Sequence, residues 1–293
     1  LVWLSAKVKE DKFDFEKWLN KALKMSIKQR KEEARGIEET YISDTTYANI
    51  VNSGIAGWFD RYPRIPYGRA TAYTQNHYDK FQMAFPFLQT LSRGFKELLP
   101  WRYNNQMEAA SKIDPRFLVP GTPFTTVTVN KTFRTAAHRD AGDFADGLSN
   151  LLVLSNNGNY SGGYLVFPEV RIAVNVRPGD LLLVNNHEII HGNTPIVTHD
   201  DEAERISLVC YLREKMLELG SYEYENLRYQ FVESRRKNKE HPMQRKLWNG
   251  VSENMWETQE WYDYLEAHGS REMLDKYHPE AYNKGSTLEG LFG

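Results

Sequence analysis

The segment FTTVTVN, residues 124–130, is where the period of this chain changes from helix to strand. Its β-branched side chains alternate, and in an extended backbone successive side chains point to opposite faces. Similar short runs follow: NLLVLS at 150–155, GGYLVFPEV at 162–170, IAVNV at 172–176, DLLLVNN at 180–186 and RISLVCYL at 205–212. Turn signals separate them, with NNGNYSGG at 156–163 and RPGD at 177–180. So many short strands at this spacing predict a sandwich or barrel.

On both sides of this region the period is helical. Residues 12–36, rich in Lys, Glu, Ala and Leu, read as a helix with a solvated charged face. Residues 80–112 read as helix with breaks near Pro86 and Pro100. Helix returns after 213 to about 240, and the aromatic-rich tail 241–293 is expected to pack as helices and loops. The organisation expected is α+β: a helical N-terminal part over 1–116, a β core over 117–215, and a helical C-terminal extension over 216–293 in the same domain.

Composition narrows the class. The chain has 293 residues, of which 41% are hydrophobic and 26% charged, as in ordinary globular proteins. No apolar run approaches the roughly 18 residues that cross a bilayer, so no membrane association is expected. The opening LVWLSAKVKEDKFDF lacks the apolar stretch and small-residue cleavage site of a secretory signal. A single cysteine excludes an internal disulfide and a multi-cysteine zinc site, and a reducing, intracellular setting is expected. Cys210, within the apolar run ISLVCYL, is expected in the core. With a net charge of −2, contact with an anionic polymer must come from a local patch. RRKNKEHPMQRK at 235–246 carries six Lys/Arg against one Glu and is the candidate; its competing reading is a solvated helix end. The mixed-sign run KMSIKQRKEEAR at 24–35 reads as a charged helix face. Trp248, Trp256 and Trp261 are expected to build the core of the tail.

The chemistry starts at AAHRDAGD, residues 136–143. In an extended segment His138 and Asp140 fall on one face, where an imidazole and a carboxylate can grip one ion. A bland alternative is a polar loop with Asp140 capping a turn. A third ligand is offered by NNHEIIHGNTP, as His187 or His191, at the end of an apolar strand. Two histidines and a carboxylate make the facial triad of non-haem Fe(II) oxygenases, which leaves three coordination positions open. Arg205 opens a later strand and can pair bidentately with a small-molecule carboxylate.

Together GTPFTTVTVN, AAHRDAGD, SGGYLVFPE, RPGDLLLVNNHEIIHGNTP and ERISLVCYLRE, spanning about 117–215, resemble the TET/J-binding-protein family. These are Fe(II)- and 2-oxoglutarate-dependent dioxygenases of nucleic acids. The resemblance implies a double-stranded β-helix (jelly-roll) core with flanking N- and C-terminal helices. It implies Fe(II) held by His138, Asp140 and His191, with 2-oxoglutarate and O2 as co-substrates. His191 is preferred over His187 because HGNTP matches the family motif. Arg205 would hold the distal carboxylate of 2-oxoglutarate, with Ser207 on the same strand face as a second contact. Asn130 and Arg69 are candidates for its metal-chelating end. Thr122 stands where the TET pattern has an arginine, which brings the J-binding-protein branch closer.

The implied reaction is hydroxylation of the 5-methyl group of a pyrimidine, thymine or 5-methylcytosine, in DNA. The base would be flipped from a duplex or taken from a single strand, because a stacked base cannot reach a buried ion. Tyr211 would stack on it, while Asp143 and Arg213 would meet its pairing edge. The competing readings are a packed core tyrosine and a surface salt bridge. A monomer is expected. Rival functions are an oxygenase of a protein side chain or small molecule, and a non-catalytic jelly-roll binding module.

Overall fold

The computed structural model describes residues 41–42, 49–50, 53–237 and 253–282. The helix expected over 12–36, the mixed-sign run 24–35, Trp248 and most of 235–246 lie outside the described residues. In chain order the strands β1 (Tyr41–Ile42) and β2 (Asn49–Ile50) form a short pair, followed by β3 (Ser53–Phe59) and β4 (Arg69–Ala70). Four helices come next: α1 (Ala72–Asn76), α2 (Tyr78–Met83), α3 (Phe85–Leu98) and α4 (Pro100–Ala110). The strand region holds β5 (Thr126–Lys131), β6 (Ser149–Ser155), β7 (Tyr160–Gly162), β8 (Leu165–Phe167) and β9 (Ile172–Val174). It continues with β10 (Leu181–Val184), β11 (Gly192–Asn193), β12 (Ile196–Thr198) and β13 (Arg205–Tyr211). Helices α5 (Tyr222–Lys237), α6 (Gln259–His268) and α7 (Arg271–Tyr277) follow. No helix among these is long and apolar enough to cross a membrane.

The main sheet has six strands in the order β10-β6-β13-β5-β3-β4, and every pairing in it is antiparallel. Three-stranded β11-β8-β9 and two-stranded β12-β7 complete the strand region. Period two then divides the side chains of the main sheet between two cores. Val127, Leu152, Leu154, Leu208 and Cys210 face Phe85, Leu88, Leu91 and Phe95 of α3. Leu151, Val153 and Val209 face Leu165 and Phe167 of β8 instead. Cys210 is fully buried, as its apolar context predicts.

The two prolines act differently from simple breaks. Each lies in the first turn of a new helix, Pro86 in α3 and Pro100 in α4, where its missing N–H costs nothing. The helical stretch is therefore three short helices whose apolar faces share one core.

One expectation is corrected. Residues 53–59 were assigned to a helical segment, yet β3 is a strand of the main sheet, paired along β5 from Ser53↔Asn130 to Gly57↔Thr126. Its sequence, SGIAGWF, hides the period, because two glycines interrupt any alternation. Gly57 sits at φ +104°, and a Cβ there would lie 2.2 Å from the Thr125 carbonyl oxygen. Only glycine fits that approach. It lets Trp58 swing into the core while its N–H donates to Thr125 O at 2.9 Å.

A further core joins α5, α6 and α7 to the segment after β3. Trp256 and Trp261 are buried there with Phe231, Tyr224 and Tyr67, so both tryptophans serve packing as expected. Glu225 of α5, 1% exposed, is the polar tie. Its carboxylate accepts from the Gly68 N–H at 2.7 Å, the Gly220 N–H at 2.9 Å and the Arg61 guanidinium. Removing it would strand those donors. Glu225→Ala is expected to lower the unfolding free energy by about 3–5 kcal/mol, the usual cost of breaking a buried charged cluster. Urea denaturation monitored by tryptophan fluorescence checks this.

Candidate active site

The sheet register creates a cavity of about 430 Å³ between the main sheet and β8. That volume lies in the ordinary range for small-molecule sites. Its wall takes Thr128 and Asn130 from β5, and Arg205, Ser207, Val209 and Tyr211 from β13. These are alternate positions on adjacent strands, with Ser207 directly opposite Asn130. His138, Asp140, Asp143, His191 and Arg213 complete the set, so nine of the candidate residues named from sequence share one cavity.

The two histidines are cross-strand neighbours. His138 N–H donates to His191 O and His191 N–H to His138 O, both at 2.9 Å. Each ring is then held by its Nδ1, His138 against Ala136 O at 2.7 Å and His191 against Ile189 O at 3.0 Å. A carbonyl can only accept, so Nδ1 carries the proton and Nε2 presents a lone pair. Both Nε2 atoms face Asp140, at 3.2 Å from Oδ1 for His138 and 3.6 Å from Oδ2 for His191. The Asp140 backbone N–H is fixed on Asn186 O at 2.9 Å.

These three side chains offer ligand atoms that all lie within 4.8 Å of one another. Neighbouring ligands on an octahedral ion, with bonds of about 2.1 Å, are about 3 Å apart. The donor set and spacing therefore fit one divalent ion bound by two neutral imidazoles and a carboxylate. Burial would raise the Asp140 pKa, but the His138 and His191 rings beside it outweigh that and hold the carboxyl below its usual range. A ligand carboxylate must be ionised, and this one is kept so. His187, the alternative third ligand, stands outside the cluster and lines a small neighbouring hollow with Asn186 and Asp143.

A second carboxylate braces the site from outside. Glu169, in the turn after β8, pairs with Arg139 at 2.5 Å and accepts the Ile190 N–H at 3.1 Å. Arg139 lies between two of the cluster residues and Ile190 precedes the third, so one side chain ties both segments together.

The two ends of the cavity carry different cations. Arg205 is 3% exposed, its Nε has no hydrogen-bond partner, and it forms no ion pair among the described residues. Burial lowers its pKa, opposed only by the Tyr160 hydroxyl. It lies flat on Gly163, where a Cβ would meet its Nε at 2.9 Å. A buried guanidinium without an acid is unstable unless an anion joins it. At the other end Arg213 does have an acid: its Nε donates to Asp60 Oδ1 at 2.5 Å. Burial would lower its pKa, yet the Asp60 hydrogen bond and charge raise it.

Beside Arg213, Asp143 is 7% exposed and accepts from Ser149 Oγ at 2.7 Å. Burial, then the charge of Asp140, pushes its carboxyl up to about 7. Asp143 and Arg213 also form a backbone bridge, so this is no surface salt bridge. Tyr211 is 9% exposed, its hydroxyl 3.2 Å from Thr128 Oγ1, and burial raises its pKa to about 12.

The weaker candidate Arg69 and the branch-marking Thr122 both fall away from the cavity. Arg69 donates to Asp60 O at 2.8 Å and lies over the Phe59 ring, away from the wall. Thr122 is a buried turn residue whose hydroxyl donates to Val119 O at 2.8 Å. The basic strip is also less available than its charge suggests. Arg235 pairs with Glu260 at 2.6 Å and Arg236 with Glu233 at 2.5 Å. Sequence reading missed Asp60, Ser149 and Glu169, and only the strand signal of β3, had it been legible, would have flagged Asp60.

Comparison with known proteins agrees with this geometry. Residues 57–214 match the Tet_JBP profile, described as the oxygenase domain of the 2OGFeDO superfamily. The chain belongs to this Tet/JBP family, and the matched region is an oxygenase domain of the superfamily whose name denotes 2-oxoglutarate and iron. It is 39% identical over 165 residues to the bifunctional helicase and thymine dioxygenase JBP2 of Trypanosoma brucei brucei, covering 55% of this chain and 15% of that protein. It is 37% identical over 167 residues to thymine dioxygenase JBP1 of Trypanosoma brucei brucei, covering 55% of this chain and 19% of that one. The chain thus spans under a fifth of the length of either relative. A solved structure of NgTET1 in complex with 5mC DNA overlays with a TM-score of 0.49 at 17% identity, covering 71% of this chain and 77% of that one.

The metal assignment has a direct check. His138→Ala and Asp140→Ala should each abolish stoichiometric Fe(II) or Co(II) binding in calorimetry while leaving the circular dichroism spectrum intact. His187→Ala should bind metal like the parent. Metal loss in that variant alone would move the third ligand.

Proposed function

We propose that this chain is the catalytic part of an Fe(II)- and 2-oxoglutarate-dependent dioxygenase that hydroxylates the 5-methyl group of a pyrimidine in DNA. The observation that carries this reading is one cavity lined by three chemically distinct parts. They are a His-Asp-His cluster, an arginine without an acid and an arginine with one. The family supports a jelly-roll arrangement of the strands, which takes in β3 and β4 of the main sheet as well as the strands after residue 117.

His138, Asp140 and His191 would hold the iron. Arg205 would take the distal carboxylate of 2-oxoglutarate, a buried cation receiving the anion it lacks, with Ser207 and Asn130 beside it. With the co-substrate and O2, the bound iron supplies the oxidation that ends in succinate, carbon dioxide and a hydroxymethyl group. The chain's own residues then position and shield. Tyr211 offers a flat face to the base, and the aromatic stack compensates part of the stacking lost on extrusion. Arg213 donates to a ring carbonyl, and Asp143 accepts from a ring or exocyclic N–H. The apolar side chains Leu151, Leu165 and Val209 exclude water around the reacting methyl. The curated relatives are named thymine dioxygenases, which supports thymine as the first substrate to test.

Two measurements test the reading. Nucleoside mass spectrometry of thymine- and 5-methylcytosine-containing DNA, after incubation with Fe(II) and 2-oxoglutarate, should reveal a hydroxymethyl product. Its absence from both DNAs, with 2-oxoglutarate consumed on another substrate, would return the chain to protein or small-molecule oxidation. Arg205→Ala should raise the half-saturating 2-oxoglutarate concentration at least about a hundredfold, since losing one partner of a buried charged pair costs about 3–5 kcal/mol. An unchanged value would place the co-substrate elsewhere.

A further inference from the structure

Arg213 is enclosed on several sides. Its Nε is pinned by Asp60 Oδ1 at 2.5 Å. Its guanidinium carbon lies 4.9 Å from the centroid of the Phe59 ring. Gly142 packs against the same group, since a Cβ there would sit 3.2 Å from Nη2 and 3.4 Å from Nη1. The backbone N–H of Arg213 is fixed as well, on Thr125 Oγ1 at 3.0 Å. Among the described residues, no other hydrogen bond of the guanidinium is formed, so the Nη edge is the part left to meet a ligand in the cavity.

Asp60 itself lies outside the cavity wall and is 7% exposed. It follows Phe59 at the end of β3, where Arg69 lies over the Phe59 ring, 5.4 Å from its centroid, and donates to the Asp60 backbone carbonyl at 2.8 Å. The Asp60 carboxylate itself pairs with Arg213. The charge consequence separates the two ends of the cavity. Arg205 lacks an acid and suits an anion. Arg213 is already paired and suits an uncharged acceptor such as a ring carbonyl, for which a second carboxylate would compete poorly.

We propose that Asp60 is the positioning residue that orients and neutralises Arg213, and so determines how the cavity grips an uncharged pyrimidine ring. This rests on the reading of Arg213 as a base contact. Asp60 touches no reacting atom in this scheme and acts only through the guanidinium. A free arginine has several rotamers of similar energy, whereas the Asp60 bond, the Phe59 face and Gly142 leave it one orientation.

The test is steady-state kinetics on duplex oligonucleotides carrying a central thymine or 5-methylcytosine, using Asp60→Asn, Asp60→Glu, Arg213→Gln and the double variant Asp60→Asn/Arg213→Gln. Asp60→Asn keeps the shape of the side chain but loses its charge. It should raise the DNA KM about tenfold, the loss of one charge-assisted hydrogen bond, with a much smaller change in kcat. Asp60→Glu should restore part of that loss. The double variant should be no worse than Arg213→Gln alone, because the two residues act as one unit. Metal titration and thermal melting check that each variant is folded; if Asp60→Asn melts early, Phe59→Leu, which loosens the same slot, is read in its place. A parental KM for Asp60→Asn while Arg213→Gln raises it overturns the role of Asp60 alone. A parental KM for Arg213→Gln overturns the base contact itself and, with it, this proposal. Additive losses in the double variant would show that Asp60 acts elsewhere and also overturn it.

Discussion

The reciprocal pair of backbone hydrogen bonds between His138 and His191 is the constraint on which the site depends. It joins two segments that are distant in sequence and sets both imidazoles side by side, with ring centroids 4.5 Å apart. Once the backbones are locked, the short bonds from Nδ1 to local carbonyls choose the tautomer, and both Nε2 atoms turn to Asp140. The β11–β8 pairing places Gly192 opposite Val166, so the locked segment is docked on the second hydrophobic core. Gly192 suits that join, because a Cβ would lie only 3.0 Å from the Ala137 nitrogen, closer than an ordinary contact. Loss of the bridge would therefore separate the candidate metal ligands without touching any of their side chains.

Electrostatics then assigns the two ends of the cavity. Desolvation disfavours every charge in this space, and what differs is the compensation available within the chain. Asp140 has two imidazoles, Arg213 has Asp60, and Asp143 has the Ser149 hydroxyl and the charge of Arg213. Arg205 has only the Tyr160 hydroxyl. The cavity is thus incomplete at one end in the sense of charge, and complete at the other. In the proposed reaction this asymmetry would sort a dianionic co-substrate from an uncharged ring before shape is considered.

The C-terminal helices serve the site at a distance. Glu225 draws the segment after β3 against α5 by accepting from Gly68, Gly220 and Arg61. Arg228 adds to it, donating to Pro66 O at 2.9 Å and lying 3.5 Å from the Trp256 ring centroid. Because that segment begins at Phe59 and Asp60, the packing of the tail supports the wall behind Arg213. The aromatic core of 253–282 is in this way continuous, through one strand end, with the cavity.

Much of this was written locally in the chain. Alternation in FTTVTVN and RISLVCYL dictates which residues share a face, so Arg205, Ser207 and Tyr211 could be grouped from spacing alone. The pair His138 and Asp140 was legible for the same reason, since a two-residue step returns to one side of an extended backbone. What sequence could not supply were partners set by distance in space. His191 is preferred over His187 on its HGNTP motif, but the physical reason, the bridge to His138, is visible only in space, and β3 stayed hidden because Gly57 adopts a conformation that breaks the strand period. Asp60 shows the limit most plainly: an aspartate after a glycine-interrupted strand has no local mark of function. It gains one only when the main sheet brings the end of β3 and the end of β13 within reach of each other across β5, because hydrogen bonds and charge act over a few ångströms, whatever the separation along the chain.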